Sequence, residues 1–96
     1  MGVKKGKEKE FIDAWTEMAQ LAIDKFDNGN GQLMQDAEHP SKFVSVGRWS
    51  NEKAIQNWRQ SDEFKKIFSR IMPMLTEPGQ PQLMKIVSKV GEHVMF

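Results

Sequence analysis

The stretch that decides the fold is Lys42-Phe43-Val44-Ser45-Val46-Gly47-Arg48-Trp49, followed at once by Ser50-Asn51-Glu52-Lys53-Ala54-Ile55-Gln56-Asn57-Trp58-Arg59-Gln60-Ser61-Asp62-Glu63-Phe64. The first eight residues are β-branched and aromatic with period two, which predicts a strand. Phe43, Ser45, Gly47 and Trp49 share one face. Val44, Val46 and Arg48 share the other. The period then changes. Ser50 is placed to cap a helix over residues 51–60 that carries Ala54, Ile55 and Trp58. Ser61 is placed to cap another, with Asp62 and Glu63 in the first turn, where the helix dipole favours negative charge. That helix presents Phe64, Ile67, Phe68 and Ile71, and Pro73 ends it.

Working outward, residues 7–27 read as a long amphipathic helix. Phe11, Trp15, Met18, Ala22 and Phe26 recur at spacings of three and four. Asp27-Asn28-Gly29-Asn30-Gly31 reads as a turn with a left-handed cap. Residues 32–36 read as a short strand and 37–41 as the turn into the decisive one. Residues 76–81 read as a loop, and residues 82–90 alternate like a strand. The tail from Gly91 to Phe96 either adds a short strand or frays. The order helix, strand, strand, helix, helix, strand predicts one α+β domain over residues 1–96, its antiparallel sheet covered by helices on one face. The strands are apolar on both faces, so a second copy of the chain is expected to cover the other face, as a homodimer.

Composition removes several functions. The 96 residues carry 14 basic and 13 acidic side chains, with no basic block to neutralise a row of phosphates, so no nucleic-acid partner is expected. Neither a membrane-length apolar run nor a secretory leader is present, which points away from the membrane and to a cytoplasmic protein. Cysteine is absent, which excludes disulfides, thiol nucleophiles and thiolate metal sites. The two histidines, His39 and His93, are far apart, so no metal site is expected. Glycine-rich phosphate loops are absent too, and no cofactor is expected.

The candidate pocket residues are Trp58, Phe64, Phe68 and Arg48. The aromatic side chains can wall an apolar pocket for a flat ligand or can simply be core. Arg48 can hold a phenolate or carboxylate, or can sit in an interface salt bridge or at a solvated rim. His39, in a polar turn beside Pro40, fits an exposed role better than a proton acceptor, and His93 in the tail fits the same role. Asn57 neighbours Trp58 but points toward solvent. Met72, Met74 and Met84 suit either an adaptable pocket or the filling of a core or interface. The catalytic group, if one exists, is not identifiable from the sequence.

A family resemblance rests on Gly6-Lys7-x-x-x-Phe11, then Trp15, then Asp36 and Pro40-x-x-Phe43. It rests also on Trp49-Ser50-Asn51-Glu52-x-Ala54-x-x-x-Trp58-x-x-Ser61-x-x-Phe64. In order and spacing these motifs resemble the antibiotic biosynthesis monooxygenase family over residues 4–90. The resemblance implies a ferredoxin-like fold that pairs through its sheets into a dimeric α+β barrel. It also implies cofactor-independent oxygenation of a small or polycyclic hydroxy-aromatic. The alternatives are a non-catalytic dimeric module that binds a small aromatic ligand, or a haem-binding or haem-degrading protein. The haem-degrading branch is matched at Trp58, but its histidine position is Phe68. In some phenol-oxygenating members an Asn precedes the Trp by one turn, and here that position is Ala54. The family also carries a fuller first strand, whereas only Met1–Lys5 precede Gly6. Either the first strand is very short, or part of it is missing.

Overall fold

The computed structural model describes residues 1–91 of the chain. The elements run β1 (Gly2–Val3), α1 (Glu8–Lys25), β2 (Asn28–Gln35), β3 (Phe43–Trp49), α2 (Glu52–Gln60), α3 (Asp62–Ile71), a 3₁₀ turn (Met72–Met74) and β4 (Leu75–Glu77). Strands β2 and β3 form one antiparallel pair and β1 and β4 another. The two-residue strand β1 joins them. It pairs with β4 through Gly2 and Glu77, and it bridges to Lys42 at the entry of β3. Val3 donates to the Ser41 carbonyl at 2.8 Å, Phe43 donates to the Met1 carbonyl at 2.9 Å, and Lys4 donates to the Met74 carbonyl at 2.7 Å. The lateral order is therefore β4-β1-β3-β2, and the chain has an α+β, ferredoxin-like fold. A first strand is present and is two residues long.

Helix α1 lays its apolar stripe on the sheet. Phe11, Ala14 and Trp15 meet Val3, Phe43 and Ile71 in the core, with Leu33, Phe68 and Leu75 packed around them. The Phe11 and Phe43 rings lie 5.0 Å apart, tilted against each other, a favoured aromatic arrangement. The Trp15 indole N–H donates to the Ser45 hydroxyl at 2.9 Å and ties α1 to β3. On the other face of the sheet, Met34 and Val44 are 41% and 58% exposed. Among the described residues, no helix is long and apolar enough to cross a membrane.

Several elements depart from the sequence reading. Residues 28–31 belong to β2 and not to a turn. The left-handed residue is Asp27 alone, with φ of 59°. Gly31 lies under α1, where a Cβ would meet Trp15 and Ala19 at 3.5 Å, an ordinary packing distance. The first cap also shifts by one residue. Asn51, not Ser50, caps α2, its side-chain oxygen accepting from the Ala54 N–H at 2.8 Å. Ser50 instead donates to the Asp27 carbonyl at 3.3 Å and holds the start of α2 against the end of α1. Ser61 caps α3 as expected, accepting from the Phe64 N–H at 3.1 Å. Residues 75–77, expected in a loop or just before it, form β4, because β1 offers them a free edge. Residues 82–90 form no strand. Their apolar side chains stay exposed, Leu83 at 66% and Val87 at 89%, since alternation alone does not supply a ladder partner. Residues 92–96, including His93 and most of the expected tail strand, lie outside the described residues.

Two carboxylates brace turns, Glu8 the one between β1 and α1 and Asp36 the one between β2 and β3. Glu8 accepts from the Gly6 N–H at 2.7 Å and from the Ser41 hydroxyl at 2.9 Å. Its own backbone N–H, and after it Ser41, holds its carboxyl below the ordinary value. Asp36 accepts from the backbone N–H groups of Glu38 and His39 at 2.8 and 3.0 Å, and these hold its carboxyl low as well.

Two outcomes are expected. Phe43→Ala removes a ring that is 2% exposed and should cost about 3–5 kcal/mol by denaturant unfolding. A loss below about 1 kcal/mol would mean that the core does not centre on this ring. A carboxyl whose pKa is lowered by folding stabilises the protein above its unfolded pKa, and that contribution is lost as pH falls through the folded value. The melting temperature should therefore drop between about pH 5 and about pH 2, and Asp36→Asn should make that acid limb shallower. An unchanged acid limb in Asp36→Asn would remove Asp36 from the account.

Candidate functional site

Three of the four sequence-derived residues come together. Trp58 faces inward from α2 and is 6% exposed. Phe64 stands in the first turn of α3, where the Ser61 cap fixes it, and Phe68 follows one turn later. Trp58 and Phe64 meet edge to face at 5.2 Å, and Phe64 and Phe68 stack at 5.2 Å with 12° between their planes. The row has a fourth ring: Phe26, just past the end of α1, lies 5.1 Å from Trp58. Sequence reasoning placed Phe26 on the α1 stripe. It could not join Phe26 to Trp58, because the pairing depends on how α2 folds back.

Arg48 is not part of this cluster. By the alternation of β3 it projects from the face opposite Phe43, is exposed, and its side-chain carbons lie 3.8 Å from where a Cβ on Gly29 would stand. The structure thus brings Trp58, Phe64 and Phe68 together on the helix side of the sheet and leaves Arg48 on the other side. Ala54, buried one turn before Trp58, contributes only a methyl group. His39 is exposed in the β2–β3 turn, and Asn57 is exposed on α2. Met72 and Met84 are exposed, and Met74 is half-buried against the core.

The sheet is bare beside the row. Gly31 of β2 and Gly47 of β3 are cross-strand partners. Trp15 lies over Gly31. Gly47 is hemmed in: a Cβ there would be 3.3 Å from the Asn28 side-chain nitrogen, 3.4 Å from the Trp49 indole nitrogen and 3.4 Å from the Asn30 carbonyl, so a side chain would fit only if these groups gave way slightly. Phe26, at the end of the aromatic row, precedes Asn28 by two residues. Two surface depressions lie elsewhere. One, of about 400 Å³, opens on the outer side of the sheet among Met1, Met34, Val44 and Glu77. The other, of about 200 Å³, lies between α1 and α3 beside Leu21 and Ile67.

Chemically the row is apolar. Among the described residues, no polar or charged side chain is buried, and no group of three or more metal-ligating side chains is clustered. Phe68, where the haem-degrading pattern has its histidine, offers no ligating nitrogen. The arrangement can stack on a flat aromatic ligand and keep water from it.

Comparison with known proteins follows the same lines. The family model described as antibiotic biosynthesis monooxygenase matches residues 1–70. A solved structure of an antibiotic biosynthesis monooxygenase is similar with a TM-score of 0.78 at 17% identity, covering 91% of this chain and 92% of that one. A conserved protein from Methanosarcina mazei Go1 is similar with a TM-score of 0.72 at 22% identity, covering 80% of this chain and 76% of its own. A Nitrosomonas europaea protein named after the same family is similar with a TM-score of 0.72 at 19% identity, covering 80% and 74%. At these identities the likeness shows the fold. Comparison with curated proteins gives no match.

Proposed function

The chain belongs to the antibiotic biosynthesis monooxygenase family, and from that premise we propose that it oxygenates a small or polycyclic hydroxy-aromatic without a cofactor. The observation that carries this reading is the row Phe26–Trp58–Phe64–Phe68, four rings in favourable contact on the helix side of the sheet. In such a reaction the substrate supplies the electrons. An electron-rich phenolate gives one electron to dioxygen, and the two radicals combine to form a carbon–oxygen bond. The hydroperoxide then loses water as the O–O bond breaks and the ring C–H proton leaves. Hydroxy-arene and dioxygen become quinone and water, with atoms and electrons balanced. The protein's part is to orient the ring and exclude water.

One observation favours a second reading. A phenol must lose its proton before it can reduce oxygen, and the described residues bury no polar or charged side chain to take it. A non-catalytic module that binds an aromatic ligand needs no such base.

Oxygen uptake with a panel of phenols and naphthols, in buffer free of metal and flavin, separates the two. Uptake is expected, and it should fall about two- to tenfold in kcat/KM in Phe64→Leu, the loss of about 0.5–1.5 kcal/mol of aromatic contact. Trp58→Phe should behave likewise while keeping the buried site filled. No uptake with any compound, together with an aromatic molecule detected by mass in the purified protein, would establish the binding module instead.

We further propose that a second copy covers the outer face of the sheet. Met34 and Val44 are exposed there beside the 400 Å³ depression, and a monomer this small gains from burying them. Light scattering should give twice 11.1 kDa, and Val44→Glu should shift the mass toward one chain. A native mass of one chain at micromolar concentration would refute the dimer.

A further inference from the structure

Strand β3 has two lateral edges, and only one is paired along its length. Toward β2 the ladder runs from Phe43 to Trp49. Toward β1 it ends at Phe43, whose N–H donates to the Met1 carbonyl at 2.9 Å and whose carbonyl accepts from the Met1 nitrogen at 2.8 Å. Backbone groups along an antiparallel strand turn alternately to one side and the other. Phe43 turns toward β1, so Ser45 and Gly47 turn the same way, while Val44 and Val46 turn toward β2. Among the described residues, no backbone group pairs with Ser45 or Gly47 on the β1 side. Both residues are exposed. The result is an open stretch of ladder in line with β1, and an open ladder is a template for another strand.

The same chain carries a strand pattern without a ladder. Residues 82–90 contain neither proline nor glycine, and alternation sets Met84, Ile86 and Val90 on one side and Leu83 and Val87 on the other. None of these side chains joins the core, and Met84 and Val90 are 79% and 88% exposed. The segment stands off its own sheet beyond Pro78-Gly79-Gln80-Pro81. One chain thus leaves an edge and a strand both unpaired, and a second copy offers each what it lacks. We propose that residues 82–90 of a second copy dock beside β3 at Ser45 and Gly47 as an added strand, reciprocally across a two-fold axis. The lengths allow it: the open edge from Ser45 to Trp49 runs about 17 Å, and nine extended residues reach about 30 Å. In that position one side of the arm continues the outer face beside Val44 and Val46, and the other turns toward the helices. This goes beyond the outer-face contact proposed above, which two copies can make without exchanging a strand.

The test is amide hydrogen exchange of the full chain, read residue by residue by NMR at high concentration and after dilution, with the mass followed by light scattering. The Val44 and Val46 amides, turned toward β2, are the internal reference and should exchange slowly throughout. At high concentration the Ser45 and Gly47 amides should exchange at least about a hundredfold more slowly than in an unpaired chain. Dilution to single chains should remove that protection. So should the double variant Ile86→Pro and Val87→Pro at any concentration, because two successive prolines take an N–H from each side of the arm. Neither position lies in the core or in a strand, so the variant should keep the native protection at Val44 and Val46.

Fast exchange at Ser45 and Gly47 at every concentration would overturn the proposal. The mass then separates it from the dimer: two chains would keep the outer-face contact and remove only the strand exchange, and one chain would remove both. Slow exchange that survives dilution or the proline variant would also overturn it, since the edge would then be covered by something other than the arm of a second copy.

Discussion

The sheet depends on a strand of two residues. Without Gly2–Val3, β4 has no neighbour and β3 has a bare edge, and the two antiparallel pairs part company. The strand uses both of its edges over a very short length. Met1 and Val3 exchange hydrogen bonds with the Ser41–Phe43 segment, while Gly2 and Val3 pair with β4. Such narrow pairing tolerates little. A Cβ on Gly2 would run into Thr76 Oγ1. The Phe11–Phe43 contact sits directly beneath this seam, and Val3 belongs to the same buried cluster. Hydrogen bonding across the seam and packing under it therefore stand or fall together.

The second constraint is the Gly31–Gly47 pair. Gly31 lies beneath Trp15 and Ala19 of α1, and Gly47 is closed in by Asn28, Asn30 and Trp49. The tighter of the two positions is the one on β3. The helix side of the sheet is consequently uneven: filled at Phe43, held by a hydrogen bond at Ser45, and bare at Gly47. The aromatic row from Phe26 to Phe68 completes that side from α1, α2 and α3.

Legibility follows the range of the forces involved. Helix α1 is written in a spacing of three and four, and α2 and α3 in the cap residues between them, so local rules recover them. Strand β3 is written in alternation. The Asn-Gly run of β2 misleads because turn chemistry and close packing both select glycine. What makes it a strand is its pairing with the end of β3, and that pairing is a tertiary fact. Residues 82–90 mislead in the opposite direction, since they carry the pattern of a strand and no partner for it. The same limit applies to the site. Trp58, Phe64 and Phe68 lie on two adjoining helices joined at a capped Ser61, and their meeting is near-local. Phe26 joins them across more than thirty residues, a distance that periodicity does not span. Arg48 follows parity to the far face of the sheet.

The placement of β1 also sets an order of events during synthesis. The residues of β1 are paired in the finished sheet with residues 75 positions later, Gly2 with Glu77. At a synthesis rate of about 5–20 residues per second, the first strand waits roughly 4–15 seconds for its partner to be made. During that interval the β2–β3 hairpin can form and α1 can collapse onto it, but the Met1–Val3 segment has only one neighbour. Sheet completion is the closing step, because the separation of β1 from β4 makes that seam the costliest in chain entropy to close. Until β4 is made, β1 has a partner on its β3 side and none on the other.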